Sequence, residues 1–106
     1  MEKMLGKISS AHFGLDRDRP FLFGLELCFT GDGWGTYGIY LQNIADSCEW
    51  ESENKRNELF FELCKKVEII LKQAKVNGVD ELVGKPVEVT FENNSFKDFR
   101  ILTEVL

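Results

Sequence analysis

The sequence lacks most of the features that announce an activity. It has one histidine, His12, and three cysteines, Cys28, Cys48 and Cys64, with no Cys-x-x-Cys pair among them. Three widely spaced thiols make neither a disulfide framework nor the paired ligand spacing of a zinc site, and they suit a reducing cytoplasm. Only two prolines occur and 43% of the residues are apolar, which excludes a low-complexity or disordered chain. No apolar run approaches the ~20 residues that span a bilayer. The segment Met1-Glu2-Lys3-Met4-Leu5 has no apolar h-region, so we expect no secretory signal and cytoplasmic residence. Cations are the minority: 13 basic residues face 18 acidic ones, for a net charge of −5. A general nucleic-acid binder needs a cationic face to release counterions, so the sign argues against nucleic acid and against anionic membranes. It suits solubility, or a negative face offered to a basic partner protein.

At 106 residues the chain predicts one domain, residues 1–106, that buries roughly two-thirds of its surface without staples. Residues 4–13 read as a weak first strand and 14–20 (GLDRDRP) as a charged loop. Residues 21–30 carry the strongest strand signal. Phe21, Phe23, Leu25, Leu27 and Phe29 alternate with Leu22, Gly24, Glu26, Cys28 and Thr30. Gly31-Asp32-Gly33 suits a tight hairpin, and Trp34 to Gln42 returns as a third strand. Gly35 and Gly38 in that strand predict a bulge or a close backbone approach.

A helix is expected from Ser52 to Lys75, capped by Ser52 and stopped at Asn77-Gly78. Leu59, Phe60, Leu63, Cys64, Val67, Ile70, Leu71 and Ala74 fall on one stripe. A short helical turn at 79–83, a fourth strand at 85–92, a turn at Asn93-Asn94 and a fifth strand carrying Phe99, Ile101, Thr103 and Val105 complete the pattern. The predicted class is α+β: an antiparallel five-stranded sheet, β-β-β-α-β-β, packed on one long helix.

Catalysis finds little support. A base–nucleophile pair needs His12 beside a cysteine, and no spacing brings one there. Cys28 falls on the second face of strand two, and Cys64 on the helix stripe, where a thiol is usually an inert small hydrophobe. No metal site and no cofactor is expected. Asp16, Asp18 and the acidic run Asp46, Glu49, Glu51, Glu53 lack the form of a calcium loop. The glycine-rich stretch 31–38 is followed by a strand, not a helix, so it is no phosphate loop.

Contact residues remain. Arg17 and Arg19 suit a bidentate clamp on phosphate or carboxylate, or a merely solvated loop. Trp34, Tyr37 and Tyr40, with Asp32 at the hairpin, offer flat rings next to bare backbone, or simple hairpin thinning. Trp50 is either a plug over the helix start or a partner anchor. The candidate binding set is therefore Arg17, Arg19, Asp32, Trp34, Tyr37 and Tyr40.

The segments LVGKPVEVTFE (82–92) and FRILTEVL (99–106), with Phe23-Gly24-Leu25 and the glycine-rich stretch after it, resemble a family of small uncharacterised proteins of tailed bacteriophages and prophages. The resemblance implies a non-enzymatic accessory protein in the cytoplasm of an infected or lysogenic bacterium. Its partner would be a host protein or a small nucleotide ligand, as in a counter-defence inhibitor that blocks an immune component or sequesters its nucleotide signal. An accessory factor for phage DNA replication or recombination is the alternative, and a small enzyme the third. A free sheet edge makes a homo-oligomer a further expectation.

Overall fold

The computed structural model of the chain describes residues 1–44 and 53–105. Within them the order is β1 (Glu2–Leu15), β2 (Leu22–Gly31), β3 (Trp34–Asn43), α1 (Glu53–Ala74), a 3-10 turn (Val79–Leu82), β4 (Pro86–Glu92), β5 (Ser95–Ile101) and a second 3-10 turn (Thr103–Val105). All strand pairs are antiparallel, in the spatial order β3-β2-β1-β4-β5. The chain is thus α+β, with a five-stranded antiparallel sheet and one long helix. Among the described residues no helix is long and apolar enough to cross a membrane. The predicted cap Ser52, the acidic residues Asp46, Glu49 and Glu51, and Cys48 and Trp50 lie outside the described residues.

The sheet is curled. Its two outermost strands, β3 and β5, meet: a Cβ added at Gly38 would lie 2.9 Å from the Phe96 ring and 3.3 Å from that of Phe29. The Phe29 and Phe96 rings stack with centroids 5.5 Å apart, and Phe29 and Phe99 lie at 4.8 Å. Gly38 therefore marks a close approach, since only a residue without a side chain admits Phe96 there. The concave side encloses Ile8, Leu25, Leu27, Phe29, Val87, Val89 and Ile101, and Leu63, Ile70 and Ala74 of α1 and Leu82 close it. α1 reaches both β3 and β5 and so bridges the mouth of the trough.

Each element follows from local chemistry, with four corrections to the expectations. The strand-two alternation holds at Leu25, Leu27 and Phe29, but Phe21 precedes β2 and is exposed, and Phe23 is half-buried against Phe13 at 5.1 Å. β1 carries a bulge at Ser9: Ile8 pairs with Phe29 and Ser10 with Cys28. The extra residue exchanges the faces, so Ile8 points inward before it and Ala11 packs on the core after it. Cys64 is exposed, whereas the rest of the helix stripe is buried or half-buried.

The remaining correction is the end of β5, whereas α1 ends within one residue of the expected Lys75. α1 stops at Ala74, four residues before Gly78. Lys75 takes φ 59, Lys75 N–H donates to the Lys72 carbonyl and Val76 N–H to the Leu71 carbonyl, a Schellman arrangement built on a non-glycine residue. β5 runs Ser95–Ile101 and not through Val105, because Thr103–Val105 turns into 3-10 helix. Asn93 and Asn94, at φ 53 and 65, make the two-residue turn that starts β5 at Ser95 and brings Phe96 onto the core.

Candidate functional site

The convex side of the sheet carries the polar chemistry. Beyond the bulge, β1 turns Ser10 and His12 outward, and β2 turns Glu26 and Cys28 outward beside them. Ser10 pairs with Cys28 and His12 with Glu26. Directly opposed residues in a ladder share a face, so these four form one cross-strand block. The 16–18 turn borders it. The block and Asp16, Arg17 and Asp18 line a cavity of about 310 Å³, near the lower limit of small-ligand pockets, roughly 300 Å³.

Internal hydrogen bonds decide which groups remain available. Asp16 is almost fully buried, and its Oδ1 accepts the backbone N–H groups of Asp18 and Arg19, each at 2.9 Å. Its Oδ2 faces the Arg19 guanidinium at 3.4 Å. The Arg19 backbone N–H, helped by that of Asp18 and by the guanidinium, holds the Asp16 carboxyl below its usual range, and burial only partly opposes this. Asp16 and Arg19 therefore build the loop. His12 Nε2 donates to the Leu15 carbonyl at 3.0 Å, which fixes the ring and, in the neutral imidazole, leaves Nδ1 as the lone-pair nitrogen. Glu26 is different. Its Oε1 is shut off from solvent and meets no hydrogen-bond donor among the described residues. Arg17 lines the same cavity, is exposed, and makes no ion pair among the described residues.

The six expected contact residues do not converge. Arg17 and Arg19 lie before β2, whereas Asp32 and Trp34 lie beyond its far end, so ten strand residues, on the order of 30 Å, separate them. Asp32 is exposed at the hairpin. Trp34 belongs to the concave side: its ring fills the room left by Gly6 and Gly31 and meets Phe91 edge-on at 5.5 Å. It also lines a smaller hollow of about 180 Å³ with Glu2, Met4, Phe91 and Asn94.

Tyr40 packs on the core too, 6.5 Å from the Phe99 ring and with Lys66 Nζ 5.1 Å from its own centroid. Its hydroxyl is enclosed without a partner, and burial, with the Asp98 charge adding to it, pushes its pKa up to about 12. Only Tyr37 stands on the convex side, 65% exposed and directly opposite Cys28. Of the expected set, then, Arg17 and Tyr37 belong beside the cavity. Ser10, His12, Glu26 and Cys28 were missed. Glu26 and Cys28 were legible as the second face of strand two, but the Ser9 bulge hid their partners on β1.

The cavity joins His12 to a thiol, contrary to the expectation that nothing would. The register sets Cys28 diagonal to His12, ~7–8 Å for such a pair, and no hydrogen bond links them. Among the described residues no group of three or more His, Cys, Asp or Glu could hold a metal ion. Protein-family models, curated proteins and solved structures offer no match to this chain.

Proposed function

We propose that the protein is a non-catalytic accessory binding module that captures a small nucleotide ligand in the convex-face cavity by stoichiometric occupancy. The resemblance to phage accessory proteins gives this a setting: a counter-defence protein that sequesters a host nucleotide signal in the bacterial cytoplasm. The observation that carries the reading is the cavity itself, of small-ligand size, which sets the exposed Arg17 beside a strand face that includes Glu26. Glu26 Oε1 is enclosed without a donor, an unmade hydrogen bond that costs about 1–3 kcal/mol, and a ligand recovers it only by turning the carboxylate toward the cavity. Tyr37 adds an exposed ring on the same face, and Arg17 adds an exposed cation.

Ligand binding to the folded state alone raises stability, by about 2.7 kcal/mol at a hundred times Kd. Thermal denaturation of the full chain against a panel of mononucleotides, with native mass spectrometry for retained ligand and assembly size, tests the reading. A nucleotide-specific rise in Tm and a matching mass increment support it. An unchanged Tm and a bare mass across the panel refute it.

Thiol chemistry is the second reading, because His12 and Cys28 line one cavity. It requires His12-dependent reactivity of Cys28 toward iodoacetamide at neutral pH. Equal labelling of Cys28 in the chain and in a His12→Ala variant eliminates it.

A further inference from the structure

We propose that the hollow of about 180 Å³ at the Trp34 end of the trough binds a quaternary ammonium group, with the Trp34 and Phe91 rings and the Glu2 carboxylate as its cage. This second site is separate from the convex cavity and does not rest on nucleotide capture.

Two rings from distant strands meet here at a right angle. Trp34 opens β3, and Gly31 and Gly6 follow it in register across β2 and β1. Neither glycine has a side chain, so the indole lies over their backbone: a Cβ at Gly6 would stand 2.8 Å from its Cζ2, and one at Gly31 would meet its Nε1. The indole thereby reaches Phe91 on β4, with ring planes at 89° and centroids 5.5 Å apart. Both rings stay half-buried, whereas Phe29 of the same trough is fully enclosed. Glu2 is directly opposed to Phe91 in the ladder, and Met4 lies two residues along on the same face. These four and Asn94 line the hollow.

The lining selects the charge and the chemistry of the ligand. Glu2 is its one ionisable side chain, is exposed, and makes no ion pair among the described residues. Lys3 falls on the opposite face of β1 by alternation, and Lys97 is held by Glu92 at 3.2 Å. The site therefore favours a cation, which aromatic faces attract through their quadrupole. A primary ammonium brings three N–H donors and a guanidinium five, and the lining side chains offer strong acceptors only at Glu2 and Asn94. A quaternary ammonium brings none. Its charge is spread over methyl groups, so it leaves water for two rings and a thioether without an unmade hydrogen bond. A volume of about 180 Å³, below the roughly 300 Å³ of small-ligand pockets, suits such a headgroup and excludes a whole nucleotide.

NMR titration of the full chain tests the site, read at the Trp34 indole N–H and the Met4 and Phe91 amides. The probes are choline, Nα-acetyl-Nε-trimethyllysine, methylammonium and 3,3-dimethylbutan-1-ol, which copies the shape of choline without its charge. Choline is expected to bind about threefold or more tightly than the neutral alcohol and than methylammonium. Glu2→Gln, at an exposed position, should weaken choline about threefold without a change in Tm. Phe91→Leu keeps apolar bulk and removes a ring face, so it should weaken choline and leave the alcohol unchanged. Tighter binding of choline than of the trimethyllysine derivative supports the site with a free small molecule as its ligand, and the reverse supports it with a methylated protein segment. The neutral alcohol or methylammonium binding as tightly as the quaternary probes overturns the proposal. So does choline binding untouched by both substitutions, and so does the absence of a shift with every probe.

Discussion

Successive residues of β2 lead into opposite worlds. Leu25, Leu27 and Phe29 are fully buried on the concave side, where rings from β5 and glycine backbone from β3 close around them. Glu26 and Cys28, one step along the same strand, open onto the convex cavity, and there a buried carboxylate oxygen lacks a donor. Each face encloses one oxygen without a donor, the Tyr40 hydroxyl on the concave side and Glu26 Oε1 on the convex side, but only Glu26 belongs to a residue that lines the 310 Å³ cavity. The contrast teaches where to look in a small sheet: polar side chains gathered around a cavity mark the face to probe for a ligand. It also makes opposite predictions for substitutions a residue apart.

The largest effect belongs to the concave face. Phe29→Ala removes a fully buried ring that touches both Phe96 and Phe99, and should cost about 3–5 kcal/mol by urea denaturation. A loss under 1 kcal/mol would show that the trough is not the core. Gly38→Ala comes next. Its new methyl would meet Phe96 at 2.9 Å and Phe29 at 3.3 Å, in the seam that lets β3 and β5 approach. Overpacking of this kind costs about 1–3 kcal/mol, and a neutral result would mean that the curl opens freely.

The convex face reverses the sign. Glu26→Met replaces an acceptor that has no donor by an apolar chain of similar length. It should raise stability by about 1 kcal/mol in the same urea assay, because a buried polar group without a partner is a cost that an apolar replacement removes. Destabilisation by Glu26→Met would erase the difference between the two faces.

What the sequence made legible follows the same division. The concave face announced itself, because burial demands apolar residues at fixed period, and β2 kept it at Leu25, Leu27 and Phe29 and α1 at Leu63, Ile70 and Ala74, with Phe21 and Cys64 as the exceptions. The one long strand that defeated the period was β1: the Ser9 bulge splits it into two out-of-phase halves, and pattern reading sees a weak strand in place of two strong ones. That single residue also puts Ser10 and His12 on the face of Glu26 and Cys28, so missing it concealed the candidate site. The aromatic contact set failed for another reason. Trp34 and Tyr40 share a parity on β3 that Tyr37 does not, and ring shape alone does not say which parity faces the trough. Edge-to-edge contact between β3 and β5 was beyond a local reading altogether, since curl is a property of the whole sheet.

pH separates the faces more gently. Tyr40 keeps its proton longer in the folded chain, with its pKa pushed up to about 12 by burial, against about 10 for an unfolded tyrosine. A raised folded value means the native state holds the proton that the unfolded state has released. Its contribution is complete below about pH 10 and is lost as the pH rises toward 12. Tyr40→Phe should flatten the stability profile there, as read by denaturant midpoints. A profile as steep as the parent's would mean that Tyr40 does not carry the alkaline loss.

The smallest effect lies at the convex side's own loop. Asp16 is held below the usual carboxylate range by the Arg19 and Asp18 backbone N–H groups and the Arg19 guanidinium. A depressed folded value has the opposite sign to that of Tyr40: the unfolded chain takes up the proton first. Stability from Asp16 is then complete above the unfolded value, about 3.9, and is lost as the pH falls through the lower folded one. Asp16→Asn keeps an acceptor oxygen for the turn but cannot titrate, so its profile should fall less steeply below pH ~4 than the parent's. Because Asp16 holds the turn that carries Arg17, acid should loosen the cavity before it reaches the trough. Hydrogen exchange at the Asp18 and Arg19 amides, rising on acidification while the Leu27 amide stays protected, is the expected signature. Simultaneous loss of protection at all three amides would mean that loop and core open as one unit and that the two faces are not energetically distinct.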